Sequence, residues 1–174
     1  MLTVNEIFYS IQGESSYAGQ PCVFVRLTGC NLRCVWCDTP YAFEEGSRRT
    51  VDDVVAAVDR HGCSLVEITG GEPLLQDDVY PLIRSLLASD KTVLIETGGH
   101  VDISKVPHAV VKIVDIKCPG SGEADQTDFA NIDRLAPHDE VKFVIRNRLD
   151  YEFARELVHQ HRLESRCAGV LFSP

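Results

Sequence analysis

The sequence predicts an α/β protein built on a parallel sheet, and three observations predict it. Short apolar runs alternate with stretches of helical periodicity, which is the rhythm of βαβ units. The runs are near-continuous in hydrophobicity, as expected of strands covered on both faces. The unusual residues (clustered cysteines, paired glycines, isolated charges) all fall just after strands, where ligands bind in parallel α/β folds. This pattern leaves open whether the sheet is a curved, open barrel or a flat, doubly wound one.

Asn5-Glu-Ile-Phe-Tyr-Ser-Ile-Gln-Gly-Glu14 is an extended apolar segment ending in a glycine turn, and Ser15 to Pro21 is a loop rich in turn residues. Val23 to Thr28 reads as the first strand, followed by a cysteine-rich loop and a polar connection to Arg49. Thr50 is placed to cap a helix that carries Asp52 and Asp53 in its first turn, with Val51, Val54, Val55 and Val58 on one face, ending at Gly62. A second strand spans Ser64–Thr69, and a helix over Gln76–Ala88 is interrupted early by Pro81. Further strands are expected at Thr92–Glu96, Ala109–Ile116, Glu140–Ile145 and Gly169–Phe172, with helical stretches near Phe129–Leu135 and Leu149–His161. There is no internal repeat and no low-complexity linker.

At 174 residues, 44% of them apolar, the chain fits one domain with a real core. Its 17 Lys and Arg against 26 Asp and Glu give a net charge of -9, which argues against sequence-independent binding to nucleic acid phosphates. No apolar stretch approaches a membrane span, and the N-terminus lacks a basic-then-apolar secretory pattern. Seven cysteines, an odd number with three clustered, point to metal chemistry in a reducing compartment, the cytoplasm, rather than to disulfides. Cys22, Cys63, Cys118 and Cys167 are scattered and read as small buried hydrophobes. None of the six histidines forms a metal-spaced pair.

The densest chemistry is Cys30-Asn-Leu-Arg-Cys34-Val-Trp-Cys37, three thiols within eight residues. Three protein ligands leave one metal position open, which a reactive site needs; a structural zinc knuckle would take a fourth ligand from elsewhere. Trp36, the only tryptophan, offers a flat face beside a bound ring. Gly70-Gly71 before Glu72-Pro73 allows close backbone approach, either to a ligand or within a tight turn, and Thr97-Gly98-Gly99 is a weaker version. Arg26 is a cation inside an apolar strand and requires a partner: an internal ion pair with Glu14 or Glu67, or a bound carboxylate gripped by its fork. Asp115 and Lys117 alternate with Ile116 and form either a surface pair or a polar face for a nucleoside. Asp38-Thr39 supplies hard oxygens suited to Mg²⁺, or simply a turn.

Cys-x3-Cys-x-(aromatic)-Cys with Ile68-Thr-Gly-Gly-Glu-Pro73 resembles the signature of the radical S-adenosylmethionine (SAM) enzymes. In these enzymes three thiolates hold a [4Fe-4S] cluster whose unique iron binds SAM. With Asn5–Glu14, Phe24–Cys30, Cys34-Val-Trp-Cys-Asp-Thr39, Asp115–Gly120 and the final Leu171-Phe-Ser-Pro174, the chain is similar over nearly its whole length to the 7-carboxy-7-deazaguanine synthase family of queuosine-precursor biosynthesis. The resemblance implies an incomplete (β/α)6 barrel working as a homodimer and supplied by an electron donor protein. Cys30, Cys34 and Cys37 would hold the cluster; Trp36, Asp38, Gly71, Asp115, Ile116 and Lys117 would bind SAM. Ile11, Gln12, Gly13 and Thr69 would frame a pterin, with Arg26 on its carboxylate and Thr39 on Mg²⁺. The implied substrate is 6-carboxy-5,6,7,8-tetrahydropterin, whose ring contracts with loss of ammonia after hydrogen abstraction at C6, SAM being regenerated. The family continues past Phe-Ser-Pro with a further helix and a segment that helps close the site. Because the sequence stops at Pro174, residues 1–174 are expected to form a single radical SAM core domain without that segment. The alternatives are another radical SAM enzyme, such as a glycyl-radical activase, and a non-enzymatic zinc module.

Overall fold

A computed structural model describes residues 1–174. Six parallel strands, β2 (Pro21–Leu27), β4 (Leu65–Gly70), β5 (Thr92–Thr97), β6 (Val111–Asp115), β7 (Glu140–Val144) and β8 (Gly169–Ser173), pair in chain order. β1 (Leu2–Ile11) adds antiparallel to β2, and the three-residue β3 (Ser47–Arg49) adds antiparallel to β1, giving one eight-stranded sheet, β3-β1-β2-β4-β5-β6-β7-β8. The antiparallel edge departs from the all-parallel expectation: β1 and β2 are joined by a short loop, and such a connection can only reverse direction. No helix is long and apolar enough to cross a membrane.

α1 (Val51–Asp59) begins where its cap predicts. Thr50 Oγ1 accepts the Asp53 amide and Asp53 returns a bond to the Thr50 amide, a reciprocal cap contributing about 1 kcal/mol. α2 (Val79–Ala88) starts three residues later than expected, because the Gln76 side chain pairs with the Thr3 amide and the carbonyls of Thr3 and Thr28. Pro81 therefore lies in the first turn, where a missing amide hydrogen costs nothing, and no interruption occurs. The later connections depart most from the helical pattern. No helix joins β5 to β6, and α3 (Ala130–Asp133) is a single turn. Buried Asn131 compensates by binding the carbonyls of Gly99 and Val101 and the amide of Ile103. α4 (Arg148–His161), capped by Asn147, matches the expected span.

Side chains alternate across each strand, and the two faces differ in chemistry. The outer face, with Val23, Val25, Val66, Ile68, Val93 and Ile95, joins Leu82, Ile83 and Leu86 of α2 in a 28-residue apolar core. The inner face is apolar at the amino ends of the strands, where Cys22, Phe24, Leu65, Leu94, Val111 and Ile113 form a smaller cluster. Toward the carboxyl ends the same face turns polar: Arg26, Glu67, Thr69, Glu96, Asp115 and Lys142 line a cavity of about 870 Å³. Of the scattered cysteines, Cys22 and Cys118 are buried as expected, whereas Cys63 and Cys167 are half-buried and bond to backbone carbonyls.

Candidate active site

Beyond β2, Gly29 takes a left-handed φ of 102° and turns the chain into the cysteine loop. Cys30, Cys34 and Cys37 are half-buried and all line the cavity. Besides the Leu32 amide, which reaches Cys30 Sγ at 3.4 Å, several contacts that do not use the thiols hold the loop. Arg33 bonds the carbonyls of Cys30 and Leu32, each at 2.7 Å, and stacks its guanidinium 4.3 Å from the Phe43 ring. The largely buried His100 side chain reaches from the loop after β5 to the Asn31 amide oxygen at 2.6 Å. Burial pushes the Cys30 and Cys34 thiols up, and the Lys117 ammonium draws both back toward thiolate. No three His, Cys, Asp or Glu side chains converge closely enough to hold a single metal ion. The three thiols share the lining of one cavity and form its thiol wall.

Gly70 and Gly71 are dictated first by the chain itself. A Cβ on Gly70 would lie 2.1 Å from the Leu27 carbonyl oxygen, and one on Gly71 would lie 2.3 Å from that of Gly29. The amides of Gly71 and Glu72 donate to these same carbonyls, so the segment extends the β2–β4 pairing up to the first cluster cysteine. Buried Glu72 then accepts from the Leu74 amide (3.0 Å), Thr97 Oγ1 (2.9 Å) and the Gly98 amide (2.8 Å). Thr97-Gly98-Gly99, the weaker of the two glycine signals in sequence, is thus clamped to the Gly-Gly-Glu-Pro segment. Burial still holds the Glu72 carboxyl above its ordinary range despite these three donors.

Asp115 and Lys117 form an ion pair of 2.8 Å with side chains only 9% and 17% exposed, inside the cavity rather than on the outer surface. Burial opposes the charge on Lys117, but Asp115 holds its pKa above the ordinary value. Asp115 Oδ1 is buried without any partner, a free acceptor beside the thiol wall. Trp36, Asp38 and Thr39 also line the cavity, and Thr39 Oγ1 lies 3.9 Å from Cys37 Sγ.

Arg26 has an internal partner, but neither Glu14 nor Glu67. Its Nε bonds Glu6 at 2.8 Å, the antiparallel neighbour on β1, a pairing the sequence hid because β1 was not read as a sheet strand. This is the only hydrogen bond its guanidinium makes, and Arg26 still lines the cavity.

Glu14 and Glu96 both bind Lys142, at 2.7 and 2.8 Å, and Thr69 Oγ1 donates to Glu96 at 3.1 Å. Burial opposes the charges of Glu96 and Lys142, but each stabilises the other, so the Glu96 pKa falls and that of Lys142 rises. Glu67 bonds Gln12 Nε2 and has no cation, so burial and then the Glu96 charge push its pKa up to about 8. The Gln12 side chain also accepts the Glu14 amide at its oxygen, at 3.2 Å. Glu96 and Lys142 were not singled out in sequence, and Glu67 only as a partner for Arg26, although each carries the signal that marked Arg26, a charge inside an apolar strand. Of the remaining expected residues, Gln12, Gly13, Thr69 and Gly71 line the cavity. Ile11 and Ile116 do not: Ile11 is 55% exposed on β1, and the Ile116 side chain is packed in the outer core.

The radical SAM superfamily pattern matches residues 24–160. The chain is 54% identical to 7-carboxy-7-deazaguanine synthase of Koribacter versatilis over 99% of its own length and 77% of the relative's. It is 42% identical to the enzyme of the same name from Chlorobaculum tepidum over 99% of its length and 80% of that protein's. The crystal structure of QueE from Escherichia coli superposes with a TM-score of 0.80 at 25% identity, covering 98% of this chain and 83% of that one.

Proposed function

This chain belongs to the 7-carboxy-7-deazaguanine synthase family of radical SAM enzymes, and we infer that it converts 6-carboxy-5,6,7,8-tetrahydropterin to 7-carboxy-7-deazaguanine with loss of ammonia. The observation that carries the reading is that one cavity holds the three-thiol wall and, on the strand leading into the cysteine loop, a guanidinium with bonding capacity to spare. Family membership brings a [4Fe-4S] cluster and SAM, and the residues fit both. Three half-buried thiols face the cavity, and the unpartnered Asp115 Oδ1 is an acceptor for a polar ligand at the same wall. When bound, the cluster and SAM supply a carbon-centred radical able to take hydrogen from C6 of the pterin.

The rest falls to the protein's own side chains. Cys30, Cys34 and Cys37 hold the cluster, and Trp36, Asp38, Gly71, Asp115 and Lys117 seat SAM against it. Arg26 pairs with the pterin carboxylate through its terminal nitrogens while Glu6 fixes its Nε. Thr69 and the Gln12-Gly13 turn bound the ring, and Thr39 directs a hydroxyl toward Mg²⁺. The resemblance further supports a homodimer of single-domain cores, located in the cytoplasm and reduced by an electron donor protein. The test is anaerobic turnover of the reconstituted protein with SAM, reductant, Mg²⁺ and the carboxylated tetrahydropterin. Ammonia and 7-carboxy-7-deazaguanine are expected in equal amounts. A cluster-loaded protein that cleaves SAM but leaves the pterin unchanged would refute the reading and favour an activase.

A further inference from the structure

The polar end of the cavity holds three carboxylates, Glu14, Glu67 and Glu96, against the single ammonium of Lys142. Two of the three are accounted for. Glu96 uses one oxygen on Lys142 and the other on Thr69, and Glu14 binds Lys142 at the rim, where its side chain is 44% exposed. Glu67 differs. It is only 4% exposed and lines the cavity; Oε2 accepts from Gln12, and Oε1 has no partner in the protein. That oxygen opens into the cavity, so a ligand that fills the cavity displaces its water and must supply a donor in return.

Strand register places this oxygen relative to Arg26. Arg26 is level with Thr69, and Phe24 is level with Glu67, one side-chain layer nearer the amino ends of the strands. Two residues of strand separate the layers, about 6.6 Å, of the order of the length of a fused bicyclic ring. Phe24, stacked on Phe8 at 5.0 Å, gives the cavity a flat aromatic wall at the Glu67 level. The cavity is therefore cationic at one layer, flat along its side and rich in acceptors at the next. A carboxypterin has the complementary order: a carboxylate on the pyrazine ring, a planar body, and N–H donors on the 2-amino-pyrimidinone edge.

We propose that Glu67 determines substrate specificity by accepting, at Oε1, an N–H of the 2-amino group of the pterin. This rests on the pterin reading given above. Burial first, and then the charges of Glu96 and Glu14, push the Glu67 pKa up against the bond from Gln12, and a ligand donor at the free oxygen would offset that penalty on its charge.

The test is equilibrium binding to the cluster- and SAM-loaded protein of two fluorescent probes: 6-carboxypterin, and 6-carboxylumazine, in which oxygen replaces the 2-amino group. The wild type should prefer 6-carboxypterin by roughly tenfold or more, the scale of one buried hydrogen bond to a charged group. Glu67→Met should bring the two affinities within about twofold by weakening 6-carboxypterin alone, with SAM affinity unchanged. Glu67→Gln, nearly identical in shape, guards against misfolding. Its amide N–H can meet the 2-oxo group, so it should bind 6-carboxylumazine better than the wild type does. If both variants fold and keep the wild-type preference, Glu67 only fills space and the proposal is overturned. A wild type that binds neither probe overturns the pterin assignment, and this inference with it.

Discussion

Arg26 separates a substrate clamp from a structural ion pair. Its contact with Glu6 is 2.8 Å, with side chains 14% and 40% exposed, and its guanidinium carbon lies 5.9 Å from the centroids of both Phe8 and Tyr41. A partly exposed pair of this kind contributes about 0.2–1 kcal/mol to folding. A desolvated carboxylate losing its charged donor forfeits about 1.5–3 kcal/mol of binding, roughly 10- to 150-fold in affinity. Arg26→Ala should therefore melt only slightly earlier while 6-carboxypterin affinity collapses and SAM affinity holds. Arg26→Lys should recover part of the binding, because an ammonium keeps the charge but loses the fork. Preference for 6-carboxypterin over pterin without the carboxylate, measured by fluorescence, is the decisive quantity and should largely vanish in Arg26→Ala. An Arg26→Ala protein that melts several degrees earlier yet still discriminates normally would show that Glu6, not the substrate, is the partner that matters.

Cys30→Ala, Cys34→Ala and Cys37→Ala should each lose cluster iron and SAM cleavage, while Cys63→Ala and Cys167→Ala retain both; iron analysis with visible absorption decides it. Thr39→Ala should keep the cluster yet blunt stimulation of turnover by Mg²⁺, and turnover indifferent to Mg²⁺ in the wild type would reduce Asp38-Thr39 to a turn. Glu67→Gln should change how stability depends on pH. With the folded pKa at about 8 and the unfolded value near 4.5, the folded state keeps a proton that the unfolded state releases. Wild-type stability should thus fall as pH rises from 5 to 8, by at most about 1.4 kcal/mol per unit from this group. The variant lacks that slope, so its melting temperature should gain on the wild type across this window and level off above it. A constant difference would mean Glu67 is already ionised at pH 5.

The parts of this protein that could be read from sequence are those fixed by local chemistry. Strand positions followed from apolar runs, the α1 start from Thr50 and Asp53, and the cluster loop from cysteine spacing. What escaped depends on partners distant in the chain. Gln76 looks like a helix-starting residue until Thr3 and Thr28 claim its amide. The β5–β6 connection needs no helix because Asn131, about thirty residues on, takes over its backbone groups. Glu6 could be identified as the partner of Arg26 only once β1 was known to run antiparallel beside β2.

The interior charges show the same limit more sharply. A charge inside an apolar strand is ambiguous by itself, and four cases here resolve in different ways. Lys112 points to the outer face, where buried Asp139 neutralises it at 2.9 Å, and takes no part in the cavity. Lys142 points inward and is shared by two carboxylates. Arg26 points inward and is half-used; Glu67 points inward with one oxygen unused. Parity along the strand assigns each residue to a face, and that much is legible. Whether its bonding capacity is exhausted depends on neighbouring strands, and only the register between them reveals it. The residues left with unused capacity on the inner face, Arg26, Glu67 and Asp115, are the ones a substrate or cofactor can still recruit, and they lie in the cavity that also holds the three thiols.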